Sequence, residues 1–293
     1  MIWVKFRCND HEEHMMVEET LRRLEMDGFC ILEGVIPEND VVGVRDEVED
    51  AVSGFREEVE RMQANVRARG HRIGASGVSA VGGLINYVPS FGHHLANHQI
   101  LEPCESIFGP YVRVSSVGAV MNHPGNARGY WHSDWPFNQT VATHIPAPYP
   151  DAVLHITAIF MLSPFTEETG GTLVVPGSHR SSVNPSGETE VDRDSPYPTE
   201  INAMGRPGDV LLFDSRLWHS VAPNRGDRPR TAVIARYAPW WLNLSVQRPG
   251  TPDHTQIIAE TGGKPSEAPL VKREVFNGLP DDAKTLFRHW VEE

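Results

Sequence analysis

The sequence predicts a mainly β domain, a jelly roll or a barrel, with supporting helices at its N-terminus. About eight short apolar or alternating runs are separated by glycine and proline turns, which is typical of such folds. The first 70 residues instead have helical periodicity, and no repeat of fixed period is visible. We therefore expect one domain over residues 1–293, with helical support and a lid region in 1–110, the β core in 111–241 and a tail in 242–293.

Composition and charge limit the possible partners. The chain carries 39 acidic and 26 basic side chains, a net charge of −13, and has no basic stripe, so nucleic acid and anionic membranes are not expected partners. Three widely spaced cysteines offer no disulfide framework, and we see neither a signal peptide nor an apolar run long enough to span a bilayer. We expect a cytoplasmic protein that binds a small molecule. The oligomeric state is not predicted.

The N-terminal region is predicted to contain two helices around a short strand. Residues 12–26 suit a helix that Gly28 ends, and residues 29–33 suit a strand. Pro37 can open the second helix, since the first helical position needs no N–H. That helix has apolar residues three or four positions apart from Val41 to Val66, which gives one continuous stripe. The stripe favours packing against the sheet, although a coiled-coil partner would also satisfy it.

A glycine-rich segment follows over residues 70–91. Five of the residues 70–83 are glycine, which predicts a mobile loop. The loop is either a solvated connector or a substrate lid that carries His71 and Arg72. Residues 91–108 then predict one or two short helices, broken at Pro103.

The remaining elements belong to the predicted β core and the tail. A half-buried strand is predicted over 111–121, and a proline-rich loop over 138–151 follows a short aromatic segment. The other predicted strands cover 153–162, 172–175, 201–204, 210–214, 217–222 and 230–238. The tail is predicted to be a loop followed by one helix near 281–291.

The aromatic segment contains a possible metal-binding motif. In a strand, His132 and Asp134 would point to the same face. With a distant second histidine they would form the set of two histidines and one carboxylate that binds Fe(II) and leaves open positions. His219, in a late strand, is our choice for that histidine. The other candidates, for which we favour structural roles, are His123, His144, His155 and His179.

An arginine follows the second histidine at a spacing that could place it near the metal. Arg230 opens the strand 11 residues after His219, and an antiparallel return would bring it beside the metal. A guanidinium binds a carboxylate through two parallel hydrogen bonds, which suits the distal carboxylate of 2-oxoglutarate. Arg236 shares the strand face, but at roughly 3.3 Å per residue it lies about 20 Å from Arg230 and cannot hold the same ligand.

These segments together resemble the phytanoyl-CoA dioxygenase-like family of Fe(II)/2-oxoglutarate-dependent oxygenases. The resemblance covers roughly residues 15–240. Its motifs are the strand at 27–32, His132-x-Asp134, the segment 169–180 with the sequence TGGTLVVPGSHR, and Gly208-Asp209 ahead of His219 and Arg230. The order and spacing of four separate segments carry the resemblance.

The resemblance implies a double-stranded β-helix, the cupin-like jelly roll, that uses Fe(II), 2-oxoglutarate and O2. It implies a reaction that oxidises a C–H bond of a small molecule, most simply by hydroxylation, and releases succinate and CO2. The family pattern also places Thr157 on a strand facing the cosubstrate, although its hydroxyl could equally bond a neighbouring strand. Trp240 and Trp241, where the sheet ends, would form pocket walls that favour an apolar or ring-bearing substrate.

Two other classes of function are compatible with the same ligands. Two histidines, a carboxylate and a water also describe a catalytic zinc site, so a hydrolase or isomerase on a cupin-like fold is one alternative. A binding protein that has the fold without turnover is the other. Arg230 distinguishes them from an oxygenase, because a hydrolase has no need of a buried guanidinium behind its second histidine.

Overall fold

The computed structural model describes nine β-strands in two antiparallel sheets. The described residues are 8–55, 75–135, 152–185, 190–245, 250–260 and 268–293, with 57, 60, 61, 64, 68 and 248. The strands are β1 (Phe29–Leu32), β2 (Val78–Gly82), β3 (Arg113–Asn122), β4 (Ile156–Met161), β5 (Thr172–Val174), β6 (Ile201–Ala203), β7 (Val210–Asp214), β8 (His219–Val221) and β9 (Arg230–Ala238). The predicted mainly β jelly roll is confirmed.

The larger sheet has six strands in the order β1-β7-β4-β9-β3-β2. Its outer face packs against the helices and forms the main core, with Val114 and Phe160 among the buried side chains. Its inner face holds a second cluster that includes Phe213 and Ala232. Strands β4, β7 and β9 are almost entirely buried, as central strands covered on both faces should be.

The smaller sheet has three strands in the order β6-β5-β8. Trp131 and Trp218 are buried beside this sheet, at 0% and 5% exposure. Trp135 is also buried, so the three tryptophans near the histidine motifs are core residues. The two sheets and the segment at 130–135 enclose the space in which the predicted site residues meet.

The α-helices lie outside the sheets, and seven of them have both ends within the described residues. They are α1 (Cys8–Met26), α2 (Glu38–Gly54), α3 (Gly92–Leu95), α4 (His98–Phe108), α5 (Pro252–Glu260), α6 (Arg273–Gly278) and α7 (Asp281–Phe287). The predicted stripe of α2 is confirmed where it is described, since Val41, Val48 and Val52 are fully buried and α2 packs against β2 and β3. Packing against the sheet is therefore how the stripe is used.

The prediction of one mobile loop over 70–91 is wrong for its second half. Residues 78–82 form β2, which pairs with β3 at the edge of the larger sheet. Gly77 and Gly83 have φ of +79° and +63°, so these glycines make the turns at the two ends of the strand. His71 and Arg72 lie outside the described residues.

Two other predictions are wrong. Helix α4 continues through Pro103, and the break lies earlier, where the side chain of Asn97 accepts a hydrogen bond of 2.9 Å from the Gln99 N–H as an N-cap. Pro103 removes one helical hydrogen bond without ending the helix. The tail contains α5 and α6 in addition to the predicted last helix, α7.

Among the described residues, no helix combines the length and the apolar character that crossing a bilayer requires. The longest, α1, has 19 residues and includes several charged side chains.

Candidate active site

The aromatic segment meets the second histidine through backbone hydrogen bonds. The N–H of His132 donates to the carbonyl of His219 at 3.1 Å, and the N–H of His219 donates to the carbonyl of His132 at 2.9 Å. The Asp134 N–H donates to the Ser215 carbonyl at 2.8 Å. His132 therefore lies in an isolated antiparallel bridge and not in the regular strand that we assumed. The two predicted histidines nevertheless face each other.

Three predicted ligands come together at this bridge. One ligand atom from each of His132, Asp134 and His219 lies within 4.8 Å of the other two. Nε2 of His219 is 3.8 Å from Oδ2 of Asp134, and the two imidazole centroids are 4.2 Å apart. No other such group of histidine, cysteine or acidic side chains occurs in the described part of the chain.

Both imidazoles are oriented by backbone carbonyls. Nδ1 of His132 donates to the Tyr130 carbonyl at 3.1 Å, and Nδ1 of His219 donates to the Leu217 carbonyl at 2.9 Å. A hydrogen bond from one ring nitrogen fixes the tautomer in which the other carries a lone pair. Nε2 of each ring is thus available to a metal ion.

The electrostatics keep His132 and Asp134 in the protonation states that metal binding needs. Burial, and next the neighbouring His219, lower the pKa of His132 to about 3, so this imidazole is neutral near pH 7. Burial alone would raise the pKa of Asp134, but the guanidinium of Arg236 outweighs it and holds that pKa well below its usual range. Asp134 is therefore a carboxylate. Neutral imidazoles and a carboxylate are the forms that bind metals.

Arg236 and Thr157 hold the carboxylate of Asp134 in place. Nη2 and Nε of Arg236 donate to its two oxygens at 2.7 and 3.1 Å, and Oγ1 of Thr157 donates to Oδ2 at 3.0 Å. Both residues come from the inner face of the larger sheet, where Thr157 and Arg236 are directly opposite on β4 and β9. Asp134 is thus fixed by strands distant from it in sequence.

A chain of buried side chains continues behind Thr157. Its hydroxyl lies 2.7 Å from Oγ of Ser215, which lies 2.8 Å from Nδ1 of His155. The other ring nitrogen of His155 lies 2.8 Å from the hydroxyl of Ser115. Since both nitrogens of His155 have partners and the ring stacks on Trp135, this histidine has the structural role that we favoured over metal binding.

The other candidate histidines are also accounted for. Nε2 of His123 is paired with Ser79 at 2.8 Å, and Nε2 of His179 is paired with the Glu25 carbonyl at 3.1 Å. Neither lies with the three ligands. His144 lies outside the described residues.

Arg230 lines the same cavity as Asp134 and His219. Its side chain is 3% exposed and packs over the ring of Phe165, 4.2 Å from the centroid. Burial lowers the pKa of Arg230 to about 9, and no acidic side chain forms an ion pair with it in the described residues. A buried cation without an anion is costly. The cavity is therefore suited to a ligand carboxylate.

Asn122 is a second polar group at this end of the cavity. It stands directly opposite Arg230 on β3, it is 1% exposed, and neither its amide nitrogen nor its amide oxygen has a hydrogen-bond partner. The Nε of Arg230 is likewise without a partner. Buried polar groups normally have partners, so these atoms indicate a place where a polar ligand can bind.

Of the remaining predicted residues, Thr157 lines the cavity and the two tryptophans do not. Trp240 and Trp241 lie in the turn after β9 and are about half exposed. They are absent from the residues that line the cavities described here, so their role as pocket walls stays a prediction. Thr157 lines the cavity, but its hydroxyl contacts Asp134.

Sequence reasoning missed Asn122 and the partnership of Arg236 with Asp134. Asn122 ends an otherwise alternating strand, and a polar residue at an inward-facing position was the available signal. Arg236 was considered only for 2-oxoglutarate. Its pairing with Asp134 depends on the register between β4 and β9, which no local pattern encodes.

The jelly roll brings two histidines and a carboxylate together and places a buried arginine in the adjoining cavity. This combination is typical of mononuclear non-haem iron oxygenases. The comparison with known families gives the same class. Residues 24–232 match the model of the phytanoyl-CoA dioxygenase (PhyH) family, and the chain belongs to that family. The predicted resemblance is thereby confirmed. The protein is an Fe(II)/2-oxoglutarate-dependent dioxygenase.

Curated relatives include two fungal dioxygenases. The dioxygenase cdmA of Talaromyces verruculosus is 26% identical over 250 residues, which are 81% of this chain and 79% of that protein. The dioxygenase andF of Emericella variicolor is 27% identical over 227 residues, 76% of this chain and 74% of that protein. The similarity therefore extends over most of each chain.

Solved structures share the fold. HygX from Streptomyces hygroscopicus, crystallised with nickel, 2-oxoglutarate and hygromycin B, has a TM-score of 0.54 at 20% identity and covers 77% of this chain and 88% of its own. The epimerase SnoN, in complex with Fe3+, alpha-ketoglutarate and nogalamycin RO, has a TM-score of 0.55 at 19% identity and covers 81% and 92%. The likeness supports the cupin-like jelly roll.

Proposed function

We propose that His132, Asp134 and His219 bind Fe(II), and that Arg230 binds the distal carboxylate of 2-oxoglutarate in the same cavity. The bound iron supplies activation of O2. In the balanced reaction, a substrate C–H, 2-oxoglutarate and O2 give the hydroxylated substrate, succinate and CO2. The observation that carries the proposal is that Asp134 and His219, two members of the ligand cluster, line one cavity together with a buried arginine that has no ion-pair partner in the described residues.

The residues around Arg230 support a carboxylate at that end of the cavity. An incoming carboxylate could accept two parallel hydrogen bonds from the guanidinium, and the amide of Asn122 opposite could donate a third. Each of these donors would gain the partner that it lacks. A zinc hydrolase or isomerase would leave them unused, which disfavours that alternative.

Residues of this chain also define what Asp134 can do. Arg236 and Thr157 occupy lone pairs on both carboxylate oxygens, which fixes the rotation of the carboxylate and keeps it anionic. The aspartate fills the ligand position that a halide would need, so hydroxylation is favoured over halogenation.

The substrate is proposed to be a small organic molecule. HygX and SnoN were crystallised with hygromycin B and a nogalamycin compound, which supports this class. The net charge of −13 argues against nucleic acid and anionic membranes as partners. Buried, free Cys30 and Cys104 agree with a reducing, cytoplasmic location. Contacts of α7 with β3 support one domain over residues 1–293.

Succinate formation tests the proposed reaction directly. We expect protein loaded anaerobically with Fe(II) and 2-oxoglutarate, and then exposed to O2, to form succinate slowly on its own and faster with its substrate. Mass spectrometry of succinate measures the reaction, and zinc-loaded protein is the control. Failure of the iron-loaded protein to form more succinate than the zinc-loaded protein, across a library of small organic molecules, would contradict the proposal.

Loss of the Thr157 hydroxyl should weaken the metal site. Thr157→Val removes the hydrogen bond to Asp134 with little change in side-chain shape, and partners of metal ligands are worth about 10–100-fold in metal affinity. We therefore expect Fe(II) affinity to fall by about 10-fold, measured anaerobically by competition with a chelator. Thr157→Ser keeps the hydroxyl and should retain most of the affinity. Equal affinities in all three proteins would show that the hydrogen bond does not orient the ligand.

A further inference from the structure

A second cavity of about 260 Å³ lies beside the candidate metal site. On the inner face of the larger sheet it is lined by small residues of β2 and β3, and Arg236 reaches it from β9. The small residues are Ala80, Gly82, Ser116 and Gly118. The C-terminal segment adds another wall through Ala268, Pro269 and Trp290, and the indole N–H of Trp290 donates to the Ala268 carbonyl at 3.0 Å.

Arg236 links this cavity to the candidate metal site. It lines both cavities, and its side chain is 32% exposed while Asp134 is 6% exposed. Asp134 engages Nε and Nη2, whereas Nη1 reaches Ser116 only at 3.4 Å. A guanidinium has five N–H donors, so donors remain for a ligand in the cavity. Among the lining residues that the structure describes, no other side chain is charged.

The charges of the loaded site favour an anion. The two positive charges of Fe(II) and those of Arg230 and Arg236 exceed by one the negative charges of Asp134 and 2-oxoglutarate. One further negative charge on the substrate would neutralise the site. In a partly enclosed cavity an unbalanced charge is costly, so the balance contributes to substrate choice.

We propose that this cavity is the substrate site and that Arg236 binds a carboxylate of the substrate, which makes the substrate class small organic acids. The proposal rests on the proposed function, because it places the substrate beside the iron ligands. Arg236 would then have two contacts: its contact with Asp134 holds the guanidinium still, and its free N–H groups face the substrate carboxylate.

Binding of matched acid and amide probes tests the proposal. Phenylacetate and phenylacetamide differ mainly in charge, and their affinities can be measured anaerobically by ligand-observed NMR on the Fe(II) protein with saturating 2-oxoglutarate. We expect the wild type to bind phenylacetate at least about 10-fold more tightly than the amide. Arg236→Met should abolish the preference, while Arg236→Lys should keep part of it. The exposed Arg228 provides the control Arg228→Met, which should behave as the wild type.

Two more variants separate binding in the cavity from effects on Asp134 and on 2-oxoglutarate binding. Ala80→Leu narrows the cavity without touching Asp134 and should weaken phenylacetate binding with 2-oxoglutarate affinity unchanged. Arg230→Lys keeps the positive charge but not the bidentate geometry, so it should keep the acid preference even if 2-oxoglutarate does not bind, and failure of the proposed function is seen separately. The proposal is overturned if the wild type has no preference for the acid. It is also overturned if the preference persists in Arg236→Met or disappears in Arg230→Lys.

Discussion

Replacing either histidine of the candidate site by alanine should abolish iron retention and turnover. His132→Ala or His219→Ala removes one of three protein ligands, and loss of a mere partner of a ligand already costs about 10–100-fold in metal affinity. We therefore expect Fe(II) affinity to fall by more than about 100-fold. Anaerobic binding of Fe(II) and succinate formation are the two measurements.

The surface offers a matched control for these substitutions. His93 is exposed and is not one of the three clustered ligands, so His93→Ala should keep iron and activity. Because the imidazoles of His132 and His219 are buried against each other, the folded state of each variant should be checked by circular dichroism. A folded variant that retains iron and full activity would remove that histidine from the proposed site.

The second large effect is expected at Arg230. Arg230→Ala should raise the apparent KM for 2-oxoglutarate by about 100-fold or more, since a charge-assisted bidentate pair in a buried site contributes a few kcal/mol. Iron binding should stay nearly unchanged, because Arg230 contacts none of the three proposed ligands. Steady-state succinate formation at varied 2-oxoglutarate gives KM, and anaerobic titration gives iron affinity.

Two other arginines make this prediction specific. Arg228→Ala removes an exposed guanidinium two residues away and should leave both quantities unchanged. Arg236→Ala should lower iron affinity through Asp134, without a selective effect on 2-oxoglutarate. If Arg236→Ala reproduces the defect in KM and Arg230→Ala does not, then the assignment of the two arginines is reversed.

Much of the fold could be predicted from the sequence because it depends on local patterns. Apolar alternation and turn residues predicted the bounds of β7 and β9 that the structure shows. The valine stripe identified the buried face of α2. Local pattern failed where tertiary contacts decide. Strand β2 exists because β3 supplies its hydrogen bonds, and α4 tolerates Pro103 because the surrounding helix is fixed by packing and by its cap at Asn97.

The residues of the candidate site also fall into those that the sequence predicts and those that only the tertiary structure brings together. The sequence by itself determined the family and the choice of His132, Asp134, His219 and Arg230, because motif order and spacing are properties of the chain. Only the tertiary structure decided that Arg236 pairs with Asp134, that Thr157 supports the carboxylate and that Asn122 faces Arg230. The physical reason is strand register: side chains from β3, β4 and β9 become neighbours only when the antiparallel pairing is fixed, and that pairing joins residues about 100 positions apart.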